Sequence, residues 1–202
     1  MKINLNPNPK PLPDAERDEK IAAGGFGKYY TDNMVTIDWS EADGWSDANL
    51  NAYGPITLDP ATAVFHYGQE IFEGMKAYSQ PDGSISLFRP DANAMRFARS
   101  AARLALPELS VEEFIETITT LVKQDRKWVP KKVGESLYIR PFMFATEVGL
   151  GVRPSNKAKY VLIATPAGAY FNAANAVTVW ISTEYVRAAQ GGTGEAKCGG
   201  NY

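Results

Sequence analysis

The chain is 202 residues long, with 45% hydrophobic and 22% charged residues, which is enough apolar side chain to bury a core in one or two domains and too much for a disordered polymer. A formal net charge of −2 with no dense Lys/Arg run excludes a nucleic-acid or anionic-membrane surface as the organising feature. One cysteine, Cys198, and one histidine, His66, exclude a disulfide framework and leave a zinc cluster without ligands, so no metal is expected, and a Ser-His-Asp arrangement could be built only around His66.

Residues 1–28 read as an extended arm, because Pro7, Pro9, Pro11 and Pro13 disfavour helix and the polar, charged composition cannot support a core. The arm lacks the apolar stretch of a secretory leader and no later segment is long and apolar enough to span a bilayer, so the cytosol is the expected compartment. Folding is expected to begin near Tyr29. Val35, Ile37 and Trp39 alternate with Met34, Thr36 and Asp38, the pattern of a half-buried strand. Met75 to Tyr78 and Ile85 to Phe88, separated by Pro81, Asp82 and Gly83, read as a β-hairpin.

Two helices follow. The first covers Arg89 to Leu104, with Pro90 in its first turn, Asp91 near the positive end of its dipole and Met95, Ala98, Ala102 and Ala105 at helical spacing. The second opens on a capping box of Ser110 and Glu113 and carries Phe114, Ile118, Leu121 and Val122 on one face. Ser136 to Ala145 reads as a strand with Tyr138 and Arg140 on one face and Leu137 and Ile139 on the other, and the apolar run Tyr160 to Thr165 as a buried strand. The order predicts an α+β domain over residues 29–165, with helices on a largely antiparallel sheet. Residues 166–176, rich in Gly, Ala and Asn, read as a linker, and Val177 to Ser182 as the first strand of a second unit, 177–202, that is cut short at Tyr202.

The segment Gly191-Gly-Thr-Gly-Glu-Ala-Lys197-Cys-Gly-Gly-Asn-Tyr202 sets five glycines around one lysine, a composition that is entropically expensive unless a backbone must approach a ligand closely. A phosphate-binding loop would need Gly before the lysine and Ser or Thr after it, where Ala196 and Cys198 stand. A dinucleotide fingerprint fails too, because Lys197 occupies the place of its third glycine. Read alone, the lysine is either a solvated loop residue or a nucleophile. Cys198 is expected as a small buried thiol, and His66 as a hydrogen-bonded structural residue.

Four motifs carry a resemblance: His66-Tyr-Gly-Gln-Glu-Ile-Phe-Glu-Gly-Met-Lys-Ala-Tyr78, Ser136-Leu-Tyr-Ile-Arg-Pro141, Pro166-Ala-Gly-Ala-Tyr-Phe171, and the lysine loop with its Gly199-Gly-Asn-Tyr202 tail. In this order and spacing, they resemble the branched-chain-amino-acid aminotransferases of the fold-type IV pyridoxal-phosphate group. The resemblance implies transamination of leucine, isoleucine and valine with 2-oxoglutarate and glutamate on pyridoxal 5'-phosphate, in a homodimer. It implies a small N-terminal domain, with residues 177–202 beginning a larger cofactor-binding one. Lys197 matches the Schiff-base lysine and proton shuttle, Arg96 the arginine that grips the cofactor phosphate, and Tyr202 the tyrosine near the cofactor ring hydroxyl.

By the same resemblance, Tyr67, Phe72, Tyr138 and Tyr170 shape an aromatic-walled substrate pocket and Arg140 helps receive the second carboxylate of glutamate. The family's acidic partner of the cofactor ring nitrogen lies beyond Tyr202, and Asn172-Ala-Ala-Asn175 departs from the glycines common in the family's interdomain loop. Two rivals stay open at this point. One is a D-amino-acid transaminase or aminodeoxychorismate-lyase-like relative; the other is a non-catalytic fragment of the family.

Overall fold

A computed structural model describes residues 1–168 and 176–202. The strands are β1 (Ile3–Leu5), β2 (Asn33–Ser40), β3 (Gly44–Trp45), β4 (Ala48–Ala52), β5 (Glu70–Phe72), β6 (Met75–Ser79), β7 (Ile85–Leu87), β8 (Ser136–Ala145) and β9 (Lys157–Ala167). The helices are α1 (Asp14–Ala23), α2 (Ala63–Tyr67), α3 (Pro90–Arg103) and α4 (Val111–Gln124), with 3-10 turns at Arg126–Trp128 and Gly199–Asn201. The strands form one sheet in the order β1-β4-β2-β9-β8-β6-β7, with β3 on β2 and β5 on β8. All pairs are antiparallel except β1 with β4, so the α+β expectation holds.

The sheet is centred on β8 and β9, whose inward side chains are almost continuously buried. α3 and α4 cover one face. Phe97, Phe114 and Tyr160 meet there ring to ring, with centroids 5.2 Å apart for the two phenylalanines and 5.7 Å for Phe97 and Tyr160. The Tyr160 hydroxyl is fully buried and pairs with Thr117 Oγ1 at 3.0 Å, which satisfies the one polar atom of the ring.

Ser110 caps α4 as expected, its Oγ accepting from the Glu113 amide at 3.2 Å while donating to the Glu113 carboxylate at 2.8 Å. Ser110→Ala leaves that amide unpaired and is expected to lower stability by about 1 kcal/mol in denaturant titration.

Three sequence expectations need correction. Residues 1–28 are not an extended arm, since α1 starts at Asp14, just past the last of the four prolines, with Asp14 and Glu16 in its first turn. The arm is also tied to the domain. β1 adds to β4, Leu12 N donates to Asp32 Oδ1 at 2.8 Å, and Asn8 N donates to Asn33 Oδ1 at 2.7 Å. In α3 the buried stripe is Ala94, Phe97 and Ala101, one residue out of phase with the expected Met95, Ala98 and Ala102, because the bulky Phe97 ring and not the alanines selects the inward face. Val177 to Ser182 is no strand. It is exposed and has no ladder partner among the described residues, and an extended segment becomes a strand only by pairing. Tyr170 and Asn172–Asn175 lie outside the described residues.

Asp125 sits at the end of α4 and accepts from Asn33, at 2.5 Å from Nδ2 and 3.1 Å from the backbone amide. Burial pushes its carboxyl above the ordinary value, and the Asn33 bonds only partly offset this. A group with a raised folded pKa contributes stability that is complete below its unfolded pKa and lost as pH rises through the folded one. The stability of the wild type relative to Asp125→Asn is therefore expected to be greatest below the ordinary carboxylate pKa and to shrink as pH rises through the raised folded one in a series of thermal unfolding curves.

Candidate active site

β5 and β6 pair with β8 in one unbroken register, Phe72 opposite Phe142 and Met75 opposite Ile139, so they are two halves of a single strand. The interruption at Glu73-Gly74 falls opposite Arg140-Pro141, where proline has no amide to donate. Glu73 N still donates to the Pro141 carbonyl at 2.7 Å. Alternation then puts Ile71, Glu73 and Met75 on the buried face, and Phe72 and Gly74 on the other with Tyr138 and Arg140.

That second face is the site wall. Arg140 Nη2 donates to Tyr138 Oη at 2.9 Å, and its guanidinium lies 4.7 Å from the Phe72 ring centre. The Arg140 Nε is buried and has no hydrogen-bond partner among the described residues. Gly74 leaves the room for Tyr138, since a Cβ there would overlap the tyrosine hydroxyl and come within 2.8 Å of Cζ. Phe26 closes the wall from the N-terminal segment, packing edge-on against Tyr138 with centroids 4.8 Å apart.

Lys197 is brought to this wall by its backbone. Its amide donates to the buried Ser100 Oγ of α3 at 2.9 Å, and its carbonyl accepts from Phe72 N at 3.0 Å along the free edge of β5. Two residues on, Gly199 N donates to Glu70 Oε1 at 2.8 Å, and a Cβ at Gly199 would collide with that oxygen. Asn201, buried, closes the loop on itself by donating to the carbonyls of Thr193 at 2.8 Å and Ala196 at 2.7 Å. Cys198 is buried, as expected for an inert thiol.

The Lys197 amine donates to Tyr202 Oη at 3.1 Å and lies 4.4 Å from the centre of the Phe72 ring, which itself meets the Tyr202 ring at 5.4 Å. Among the described residues it makes no salt bridge. Arg96 reaches the same region from α3. Hydrogen bonding to Glu73 holds its guanidinium further above its ordinary pKa, and Tyr202 is close enough to contribute electrostatically.

The structure thus gathers Lys197, Tyr202, Phe72, Tyr138, Arg140 and Arg96 into one neighbourhood. Tyr67 makes its polar contact elsewhere, donating to the Leu150 carbonyl at 2.5 Å, while His66 pairs with the Pro60 carbonyl at 3.0 Å, a structural role. Sequence reasoning passed over Phe26, Glu70, Glu73 and Ser100. Glu73 could have been found as a carboxylate at a core-parity position between Ile71 and Met75, and Phe26 as an aromatic bracketed by Gly24, Gly25 and Gly27, all at positive φ.

Comparison with known proteins finds relatives over nearly the whole chain. The chain is 58% identical over 204 residues to the branched-chain-amino-acid aminotransferase of Mycolicibacterium smegmatis, covering 100% of this chain and 55% of that one. It is 47% identical over 180 residues to branched-chain-amino-acid transaminase 1 of Bacillus subtilis, covering 88% and 51%. The expected resemblance to branched-chain-amino-acid aminotransferases therefore holds over nearly the whole of this chain.

It spans about half the length of the curated relatives it matches. The branched-chain aminotransferase of Escherichia coli shares its fold, with a TM-score of 0.55 at 23% identity over 82% of this chain and 52% of that one. So does that of Thermoproteus uzoniensis, solved with norvaline, at a TM-score of 0.51 and 21% identity over 66% and 41%. The fold-type IV expectation therefore holds for the part of the family fold this chain covers. No protein-family model matches the chain.

Proposed function

We propose that this chain supplies the lysine-bearing side of an active site that transaminates leucine, isoleucine and valine with 2-oxoglutarate and glutamate, using pyridoxal 5'-phosphate, in the cytoplasm. The observation that carries this reading is the Lys197 amine, fixed by its own backbone to β5 and α3 and presented beside a phenol and an aromatic wall. Residues 177–202 begin the larger, cofactor-binding domain in this reading.

The donor set fits the cofactor. A primary amine suits an aldehyde, the Tyr202 hydroxyl suits a ring oxygen, and the Arg96 fork suits a phosphate. When bound, pyridoxal phosphate supplies the electron sink that makes the substrate α-proton removable. Lys197 would hold the cofactor through its amine, and the same amine is the base placed to move the substrate α-proton. Tyr202 keeps the amine oriented through its 3.1 Å hydrogen bond.

Substrate selection falls to the wall of Phe26, Phe72 and Tyr138, which excludes water from an aliphatic side chain. Arg140, whose buried Nε has no hydrogen-bond partner among the described residues, receives the second carboxylate of glutamate at the same wall. Tyr170 completes the pocket in this reading.

Tyr67 acts across a dimer. It stands beside exposed apolar residues, Phe65, Val148 and Leu150, that a second copy would cover. The test is transamination by the full-length protein. L-Leucine with 2-oxoglutarate is expected to yield the branched 2-oxo acid and glutamate, and turnover of D-alanine with none of L-leucine would overturn the reading.

A further inference from the structure

Glu73 is fully buried, and both of its carboxylate oxygens are paired. Oε1 accepts from Arg96 Nε at 2.5 Å, and Oε2 accepts from Arg96 Nη2 at 2.8 Å, Asn93 Nδ2 at 2.8 Å and Gly74 N at 3.1 Å. The Arg96 side chain is 46% exposed, so the pair is anchored in the core and ends at the surface. We propose that Glu73 is a positioning residue, fixing the plane of the Arg96 guanidinium so that its remaining edge meets the phosphate of the cofactor. This rests on the reading of the site given above.

The chemistry follows from the fork. A guanidinium has five donors in one plane, and a bidentate carboxylate on the Nε/Nη2 edge fixes that plane while leaving Nη1 to a second anion. Without the clamp, Arg96 would sample many rotamers, and ordering them on phosphate binding would weaken affinity. Asn93, one turn before Arg96 on α3, holds the carboxylate in register, and the Glu73 amide is held by Pro141 O, so the clamp has supports on both the helix and the sheet. The Glu73 carboxylate lowers the local positive potential, so it acts through geometry and against simple charge attraction.

The test uses the full-length protein and compares the dissociation constants of pyridoxal 5'-phosphate and of pyridoxal, which lacks the phosphate, by equilibrium dialysis. Glu73→Gln is expected to raise the constant for the phosphorylated ligand about tenfold or more, the scale of a lost charge-assisted hydrogen bond, and to change that for pyridoxal less than about twofold. In an Arg96→Lys background, the same substitution is expected to add little.

Equal weakening for both ligands would mark a merely structural residue, and unchanged or tighter phosphate binding would mean that Glu73 competes for Arg96; either overturns the proposal. Should Glu73→Gln not fold, Asn93→Ala carries the same comparison, with selective weakening expected for the phosphorylated ligand. A wild type that binds neither ligand would instead overturn the reading of the whole site, and a wild type that binds both ligands equally well would overturn the role of Arg96 and with it the clamp.

Discussion

Lys197→Ala is expected to abolish turnover while leaving the fold intact. The two bonds that dock this residue, to Ser100 Oγ and from Phe72 N, use only its peptide group and survive the substitution. Among the described residues its amine hydrogen-bonds only to an exposed phenol, so its removal is expected to shift the unfolding midpoint little. What would disappear, on the proposed function, is the covalent anchor and the base, and loss of a positioned proton-transfer group alone is worth about 10²–10⁴-fold in rate. Steady-state kinetics and a thermal melt of the full-length protein check both halves. A large loss of stability with retained activity would place the chemistry elsewhere.

Gly74→Ala is expected to have the next largest effect, and on the substrate and not the fold. The new methyl would overlap Tyr138, a rigid ring confined by Phe26 on one side and Arg140 on the other. Such overpacking costs about 1–3 kcal/mol, which here is met by turning Tyr138 out of the wall and breaking its bond to Arg140. The expected result is a fall of kcat/KM for L-leucine by about tenfold to a hundredfold. Because the clash is with one side chain, Tyr138→Ala made in the same protein should remove the further loss caused by Gly74→Ala, as a double-mutant cycle would show.

The fold was legible where period and capping agreed. The alternation of β2, the two strands around Pro81 to Gly83, the Ser110 cap and the faces of β8 all follow from local patterning that the sheet then satisfies. It was illegible where a tertiary partner decides. β1 is held by β4, and Asn8 and Leu12 between β1 and α1 by Asn33 and Asp32, residues distant in sequence, so a proline-rich polar stretch that lacks a core of its own still acquires structure. The face of α3 was misjudged because alanine votes for burial at several phases and only Phe97 breaks the tie.

For the proposed site, most of the side chains gathered around Lys197 were legible through the four motifs, but their supports were not. Lys197 can be picked from a glycine-rich loop, whereas Ser100 and Glu70 are ordinary helix and strand residues until the loop docks on them. Phe26 was hidden because the segment before Tyr29 was taken to be free of the domain, and its ring meets Tyr138 only through the turn made by glycines at positive φ.

The central claim is that Lys197 carries pyridoxal phosphate, and borohydride reduction of the full-length protein followed by peptide mapping tests it directly. The cofactor is expected as a reduced, acid-stable adduct on the peptide that contains Lys197, with none on the Lys197→Ala protein. An adduct on another lysine, or an unmodified protein that nonetheless transaminates L-leucine, would contradict it.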